Sequence, residues 1–290
     1  MSNSHGNTQS DNNPMQLHDW AGEMGEKWNH YHTQFEGMIA PVGRAALDAA
    51  GLKPGHRVLD IGCGAGATTL EIARRVAPDG AALGVDVAPV LIETSRRRAA
   101  ADGLINARFL CADAGQQDIG VHDFDVLFSR FGVMFFNDPV AAFTNLHRFL
   151  RPDARLAMAC WGPPQRNGWV GMLMEIVSRH VTLPPPVPRA PGPFQLAESD
   201  FTIDVLSRAG FRDIEFAPWE GQQLIGGPGL DAAGAARFVM NALFVGEALQ
   251  GQSDDVRSSV LRQVEALFAA HRVNEGVSLP AMAWIITGCA

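Results

Sequence analysis

Residues 58–66 read Val-Leu-Asp-Ile-Gly-Cys-Gly-Ala-Gly, and Ala67-Thr-Thr-Leu-Glu-Ile-Ala follows directly. A short apolar run ends in glycines at 62, 64 and 66, and a helix-forming stretch starts behind them. Strand, glycine turn and helix in that order make a ligand-binding corner. The glycines permit a tight turn and let a ligand approach the backbone. The helix N-terminus offers free N–H groups and a partial positive charge. Gly62, Gly64 and Ala67 also satisfy the G-x-G-x-x-G/A dinucleotide pattern, so the loop alone leaves the ligand open.

Residues downstream narrow the choice. The strand 57–61 feeds the loop, and the helix behind it is expected to run through Val76. A second strand, 81–85, ends at Asp86, twenty residues after Gly66. A carboxylate there can accept hydrogen bonds from both hydroxyls of a ribose. A third strand, 107–111, is followed by Asp113. Its carboxylate can accept from an exocyclic adenine amine while the Ala114 N–H donates to a ring nitrogen. A solvated strand-end acid at Asp86 and an Asx turn at Asp113 stay open as alternatives. Together these positions describe one nucleoside-shaped ligand across the carboxyl ends of three neighbouring strands, where open α/β sheets bind ligands.

The rest of the chain repeats the rhythm. Strands are expected over 124–128 and 155–161, with helices over about 89–101 and 139–150. Strands alternating with helices predict βαβ units and a parallel sheet. Before the glycine loop, residues 1–14 read as a disordered tail. From Met15, the spacing of Leu17, Trp20, Met24, Trp28 and Tyr31 predicts an amphipathic helix, and a second helix spans about 36–50. Residues 163–193 hold eight of the eighteen prolines. Within them a helix over about 167–181 presents Trp169, Met172, Leu173 and Ile176 on one face. A helix over 198–209 and a strand over 212–217 restore regularity. Helices over 231–249 and 254–270 follow, and Ala-Met-Ala-Trp-Ile-Ile-Thr (281–287) reads as a buried strand. The divisions are a tail (1–14), an N-terminal helical lid (15–54), a core (55–161), a proline-rich cap insertion (162–197), more core (198–225), a helical cap insertion (226–276) and a final core strand (277–290).

Composition sets limits on function. The 290 residues are 47% hydrophobic and 19% charged, which is globular rather than disordered. A net charge of −8 without a basic block argues against nucleic acid as a partner. No apolar run reaches the ~18 residues of a membrane span. The first residues lack the basic and apolar regions of a signal peptide. Cys63, Cys111, Cys160 and Cys289 show no metal-ligand spacing, and no metal is expected. A reducing cytoplasm is the expected compartment. The oligomeric state is not legible.

At these motifs the chain resembles the class I S-adenosylmethionine-dependent methyltransferases. It is similar to the branch of quinone-biosynthesis C-methyltransferases and natural-product methyltransferases. The resemblance covers about 15–288. It is carried by VLDIGCGAG (58–66), GVDVAP (84–89), CADA (111–114), FDVLFSRFGVMFF (124–136) and LRPDARLAMACW (150–161). Where the family has Pro-Gly-Gly-Arg, this chain has Pro152-Asp153-Ala154-Arg155, a difference confined to a turn. The resemblance implies an α/β fold: a Rossmann-like seven-stranded sheet, mostly parallel, with 281–287 as an antiparallel last strand near the edge, under a helical cap. It implies S-adenosylmethionine as cofactor and S-adenosylhomocysteine as product. Gly62, Gly64 and Gly66 would meet the methionine portion and sugar, Asp86 the ribose, and Asp113 and Ala114 the adenine. Ser129 and Arg130 would lie under the methionine or near the methyl group. Asp60, Cys63 and Val87 complete the cofactor set.

Competing enzymes fit less well. A nicotinamide-dependent dehydrogenase commonly carries Tyr-x-x-x-Lys, and this chain has one tyrosine, Tyr31, and no lysine after Lys53. Enzymes that methylate adenine or amide nitrogen resemble one another in an Asn/Asp-Pro-Pro-Tyr/Phe tetrad, where this chain has Ser129-Arg130-Phe131-Gly132. The aromatic and apolar residues outside the core suit a small, apolar or aromatic acceptor. Trp20, Met24, Trp28, Tyr31, Trp161 and Trp169 are the candidate pocket residues. His180 and His32 are the candidate general bases, against a purely structural role for each. A non-catalytic adenosylmethionine-binding sensor or scaffold is the alternative from another class, because the fold serves both.

Overall fold

A computed structural model describes residues 17–290 of the chain. The expected tail 1–14 and the helix start at Met15 lie outside the described residues. Three helices open the fold: α1 (Leu17–Trp20), α2 (Glu23–His30) and α3 (His32–Ala49). The first half of the sheet follows as β1 (Arg57–Ile61), α4 (Ala67–Val76), β2 (Ala81–Asp86), α5 (Pro89–Ala101), β3 (Ala107–Cys111), β4 (Phe124–Arg130), α6 (Pro139–His147) and β5 (Leu150–Trp161). Next come α7 (Gly168–Ser178), α8 (Ser199–Arg208) and β6 (Arg212–Leu224). The chain closes with α9 (Ala232–Ala242), α10 (Phe244–Ala248), α11 (Asp254–Ala270), β7 (Arg272–Val273) and β8 (Gly276–Cys289).

The sheet runs β3-β2-β1-β4-β5-β8-β6, with the two-residue β7 beside β8. Strands β1 to β5 are mutually parallel, and β8 runs antiparallel between β5 and β6. Seven strands on this path, one of them reversed near the edge, match the expected sheet. The central strands are covered on both faces: Val58, Leu59 and Phe128 are fully buried. That is why β1 and β4 read as continuous apolar runs. Helices α4 and α5 pack on β1, β2 and β3, while α3 crosses β5, β6 and β8. Strand order reverses between β1 and β4. The carboxyl ends of those two strands diverge there and open a crevice.

Two expected helices break. The amphipathic stretch from Trp20 to Tyr31 is split by a turn at residues 21–22, and α3 restarts at His32. The Trp20 carbonyl occupies the space a side chain at Gly25 would need, so this glycine lets the chain fold back over α2. The stretch 231–249 breaks at Leu243, which is extended (φ −110°, ψ 176°). A glycine at 246 then allows α10 to turn tightly against the Met240 carbonyl. Several strands exceed their expected bounds. β4 runs on to Arg130, β6 to Leu224, and β8 covers Gly276–Cys289 because it pairs with β6 almost throughout. No helix of the described residues is long and apolar enough to cross a membrane.

Candidate active site

A cavity of about 220 Å³ opens in the crevice at the carboxyl ends of β1, β2 and β4. Its floor is the glycine loop. Gly62, Gly64 and Gly66 all have positive φ (67°, 55° and 86°), the region glycine enters without penalty. The Gly62 and Cys63 N–H groups both donate to the Val85 carbonyl, at 2.8 and 3.2 Å, which fastens the loop to β2. A Cβ at Gly62 would stand 2.5 Å from Gly132 Cα, so the turn after β4 lies flush on the loop.

Asp86 ends β2 on the cavity wall beside Val87. Its carboxylate accepts from the Gly64 N–H at 2.9 Å and the Ala88 N–H at 3.0 Å. A carboxylate offers about four lone-pair sites, so acceptor capacity remains for a ligand. Burial raises its pKa, and the N–H groups of Ala88, Gly64 and Val87 work against that rise. Asp113 and Ala114 line the same wall beyond β3. The Asp113 carboxylate accepts from the Gly115 N–H at 2.9 Å, an Asx turn, and from Gln116 Nε2 at 2.7 Å. Asp113 therefore forms an Asx turn while lining the cavity. The Ala114 N–H meets no acceptor among the described residues.

Three expected cofactor residues lie beneath the cavity instead of lining it. Asp60 is fully buried, and its Oδ2 accepts from the hydroxyls of Thr68 (2.7 Å) and Thr69 (2.6 Å). It thereby ties the end of β1 to the first turn of α4. Burial lifts its pKa from 3.8 to about 6, against the two threonine hydroxyls and the charge of Arg130. Ser129 is also buried; its hydroxyl donates to the Ile61 carbonyl at 2.8 Å and accepts from the Gly132 N–H at 3.2 Å. Gly66 leaves room for Ser95 and Phe109. Cys63 lines the cavity, but its buried thiol has a pKa well above the usual value, because burial disfavours the thiolate.

Above this ledge the walls are aromatic. Trp20, Met24 and Trp28 from the N-terminal helices, Trp161 at the end of β5 and Trp169 on α7 all line the cavity. Trp28 stacks on Phe35 at 3.9 Å between centroids, and Trp20 meets Phe135 edge-on at 4.9 Å. Phe131 stacks on Trp161 at 4.3 Å, and Trp161 leans on Trp169 at 5.8 Å. Phe131 sits at φ 64°, a left-handed conformation that costs a non-glycine residue about 1–3 kcal/mol. That turn is what lays its ring over Trp161. The indole N–H groups of Trp20 and Trp169 are buried without a partner among the described residues.

Three expected residues face elsewhere. Tyr31 packs edge-on against Phe238, outside the cavity lining. His32 Nδ1 lies 2.7 Å from the Asn29 carbonyl, and His180 Nε2 lies 2.6 Å from Gln263 Nε2. The structure thus brings neither candidate base to the cavity, whose lining holds no histidine among the described residues. Sequence reasoning missed Phe35 and Glu36 on α3, Phe131 and Phe135 after β4, and Leu243 at the α9–α10 break. The phenylalanines had a readable signal, since 131 and 135 recur at one-turn spacing. The α9–α10 break had none, because helical periodicity runs straight through it. Among the described residues no group of three His, Cys, Asp or Glu side chains is placed to hold a metal.

Comparison with known proteins fits this geometry. Residues 58–153 match a family described as a methyltransferase domain. The chain is 35% identical over 120 residues to aklanonic acid methyltransferase of Streptomyces sp. (strain C5), covering 41% of this chain and 54% of that protein. It is 27% identical over 186 residues to nocamycin O-methyltransferase of Saccharothrix syringae, covering 61% and 66%. Against demethylmenaquinone methyltransferase of Thermus thermophilus it is 35% identical over 138 residues, covering 48% and 61%. The chain therefore spans about half to two thirds of the length of these relatives. The fold matches the YcgJ protein of Bacillus subtilis with a TM-score of 0.56 at 20% identity, over 86% of this chain and 98% of that one. It also matches the [4+2]-cyclase SpnF with a TM-score of 0.53 at 13% identity, over 95% and 96%. Motif, sheet order and relatives agree, and residues 58–153 of the chain form a methyltransferase domain of the class I S-adenosylmethionine-dependent family.

Proposed function

We propose that the chain is an enzyme that moves a methyl group from S-adenosylmethionine to a small, apolar or aromatic organic acceptor. One observation carries this reading: a ledge of glycine backbone with Asp86, Asp113 and Ala114, and a chamber of aromatic rings, are two walls of the same cavity. The ledge fits the cofactor by its chemistry. It offers a glycine loop without side chains, spare acceptor capacity at Asp86, and an uncommitted N–H at Ala114. When bound there, S-adenosylmethionine supplies a sulfonium-activated methyl group for in-line displacement. Asp86 would hold the ribose hydroxyls, and Asp113 with Ala114 would read the adenine edge. The ring pairs Trp28–Phe35 and Phe131–Trp161 would sandwich and orient a flat acceptor. Orientation is the main requirement, because alignment of the reacting atoms supplies much of the rate. With no histidine in the lining, the reading favours acceptors whose proton is already labile, such as acidic phenols or stabilised enols.

The test is transfer of tritiated methyl from S-adenosylmethionine to a panel of phenols, naphthols and quinols, run beside thermal-shift titrations. We expect methylated product from at least one aromatic acceptor. The melting temperature should rise with S-adenosylhomocysteine and not with NAD or NADP; the reverse pattern would overturn the reading. The fold also carries a cyclase, so transfer is the deciding measurement and binding alone is not. Binding with no transfer to any acceptor is the outcome for a sensor or scaffold.

A further inference from the structure

Four carboxylates line the cavity among the described residues: Glu36, Asp86, Asp113 and Glu247. Two belong to the ledge. Asp86 holds the Gly64 and Ala88 N–H groups, and Asp113 holds Gly115 and Gln116. Glu36 gives both of its oxygens to Arg98, at 2.6 and 3.1 Å. Glu247 differs from all three. Lys27 Nζ donates to its Oε1 at 2.9 Å, and its Oε2 accepts no hydrogen bond from any described residue.

The fold brings this acid to the aromatic wall. Leu243 is extended between α9 and α10, which turns the chain there, and Leu243, Phe244 and Glu247 all line the cavity. Phe244 and Glu247 stand one helical turn apart on α10 and so share a face of it. α10 packs against α7, the helix that carries Trp169. From the other side Lys27 fixes one carboxylate oxygen, and it belongs to α2, whose Met24 and Trp28 also line the cavity. Rings and aliphatic side chains make up this half of the cavity, and Glu247 is the carboxylate there with an oxygen that no donor holds. An ionised carboxylate only accepts hydrogen bonds, so it recognises a proton donor and repels an anion.

We propose that Glu247 is a catalytic residue on the acceptor side, whose free oxygen binds the hydroxyl of a neutral aromatic or enolic acceptor and takes its proton. This deepens the methyltransferase reading above and rests on it. The acceptor oxygen bonds to the methyl carbon as the carbon–sulfur bond breaks, and sulfur keeps that electron pair. The hydroxyl proton passes to Glu247 Oε2. Glu247 is 38% exposed, so water can then carry the proton away. The site selects hydroxyl acceptors over carboxylic acids, whose anions Glu247 repels. The labile proton that suits a cavity without histidine has, in Glu247, a group to receive it.

The test measures transfer to 1-naphthol against pH in the wild type and Glu247→Gln, with S-adenosylhomocysteine affinity read by calorimetry. At neutral pH the variant's kcat should fall roughly 100-fold, the lower end of what a positioned acid–base group contributes. The gap should close as pH rises and the naphthol ionises unaided, while S-adenosylhomocysteine affinity stays unchanged. A constant ratio between the two profiles marks Glu247 as packing and overturns the proposal, as does an unchanged kcat. If the wild type transfers nothing to 1-naphthol, binding decides. 1-Naphthol and 1-methoxynaphthalene are then titrated into wild type and Glu247→Leu, each saturated with S-adenosylhomocysteine. A wild-type preference for the naphthol of roughly 10-fold, the range of a hydrogen bond to a charged group, should be erased in Glu247→Leu. That result keeps the hydroxyl site and places the failure in the transfer reading. Equal or absent binding of the two compounds, or a preference that survives the substitution, overturns the proposal. A wild type that does not bind S-adenosylhomocysteine removes the methyltransferase reading and this proposal with it.

Discussion

The two walls of the cavity are made in different ways. The cofactor ledge is built from backbone and short polar side chains on three adjacent strands, within residues 60–114. Its groups are fixed by the sheet itself: Val85 holds the loop, Gly64 and Ala88 hold Asp86, and Thr68 and Thr69 hold Asp60. The chamber is built from large rings contributed by separate places: α1, α2, α3, the end of β4, the end of β5, and the cap helices. Few hydrogen bonds position those rings. Ridged packing and edge-to-face contacts do it instead, and these tolerate substitution while keeping volume. A ledge fixed by backbone can stay constant while a chamber of side chains adapts to different acceptors.

The contrast can be broken most severely by removing part of the chamber. Deleting residues 1–31 takes away Trp20, Met24 and Trp28 but no strand. Turnover should be abolished, while circular dichroism stays that of a folded α/β domain and S-adenosylhomocysteine still binds, more weakly. Full activity in the truncated chain would show that these helices are no wall of the acceptor site. On the ledge, Asp86→Ala should weaken S-adenosylhomocysteine binding by ~2–4 kcal/mol, because it removes an ionised acceptor of two ribose hydroxyls. It also strips the Gly64 and Ala88 N–H groups of their partner, so Asp86→Asn, which keeps one oxygen, should lose less. An unchanged dissociation constant in calorimetry would remove the ribose assignment.

A third experiment separates ledge from chamber by pH. Asp60 titrates at about 6 in the folded protein, against 3.8 when free of burial. The folded state keeps its proton where the unfolded chain has released it. This contribution to stability is present in full below pH ~4 and lost as pH rises to ~6, by about 3 kcal/mol at most. Urea denaturation across pH 4–7 should show that fall, and Asp60→Asn should flatten it apart from the share of Asp86, whose pKa is raised in the same direction. Unaltered pH dependence in the variant would mean that Asp60 is not the buried acid described. The smallest effect is expected at the chamber rim. Lys27 and Glu247 join α2 to α10 at 2.9 Å but are 27% and 38% exposed. Lys27→Ala should cost no more than about 1 kcal/mol in a thermal melt. A larger loss would mark this pair as a true clasp between lid and cap.

The same contrast explains what was legible in the sequence. Gly62, Asp86 and Asp113 announce themselves: the glycine by the left-handed turn it makes, and the two acids by their place at strand ends, where the structure finds both on the cavity wall. The parallel sheet was readable from strand–helix alternation, and the antiparallel strand near its edge from the resemblance, while the strand order comes from the structure. Asp60 and Ser129 read as cofactor residues, and the structure places both off the cavity lining, bracing the loop; sequence cannot tell a group that touches a ligand from one that holds the loop beneath it. His180 and His32 were chosen for their chemistry alone, and each lies against a neighbour outside the cavity. Leu243 was hidden because a helix break set by Gly246 and the Met240 carbonyl leaves no mark in hydrophobic spacing.

The placement of β8 sets an order of assembly. Strand β6 has a single sheet neighbour, β8, and β8 alone connects it to β5. On a ribosome, the residues of the ledge emerge early and can pair through β3-β2-β1-β4-β5 as soon as β5 is free. β5 then presents an open edge while the next hundred or so residues are made, and β6 waits without a hydrogen-bonded partner. Such an edge invites pairing with other chains. Pairing across so long a stretch of sequence is also intrinsically slow. The half-built sheet is therefore the stage at which this protein should lean most on chaperones, and its vulnerable surface is the flank of β5 that β8 finally covers.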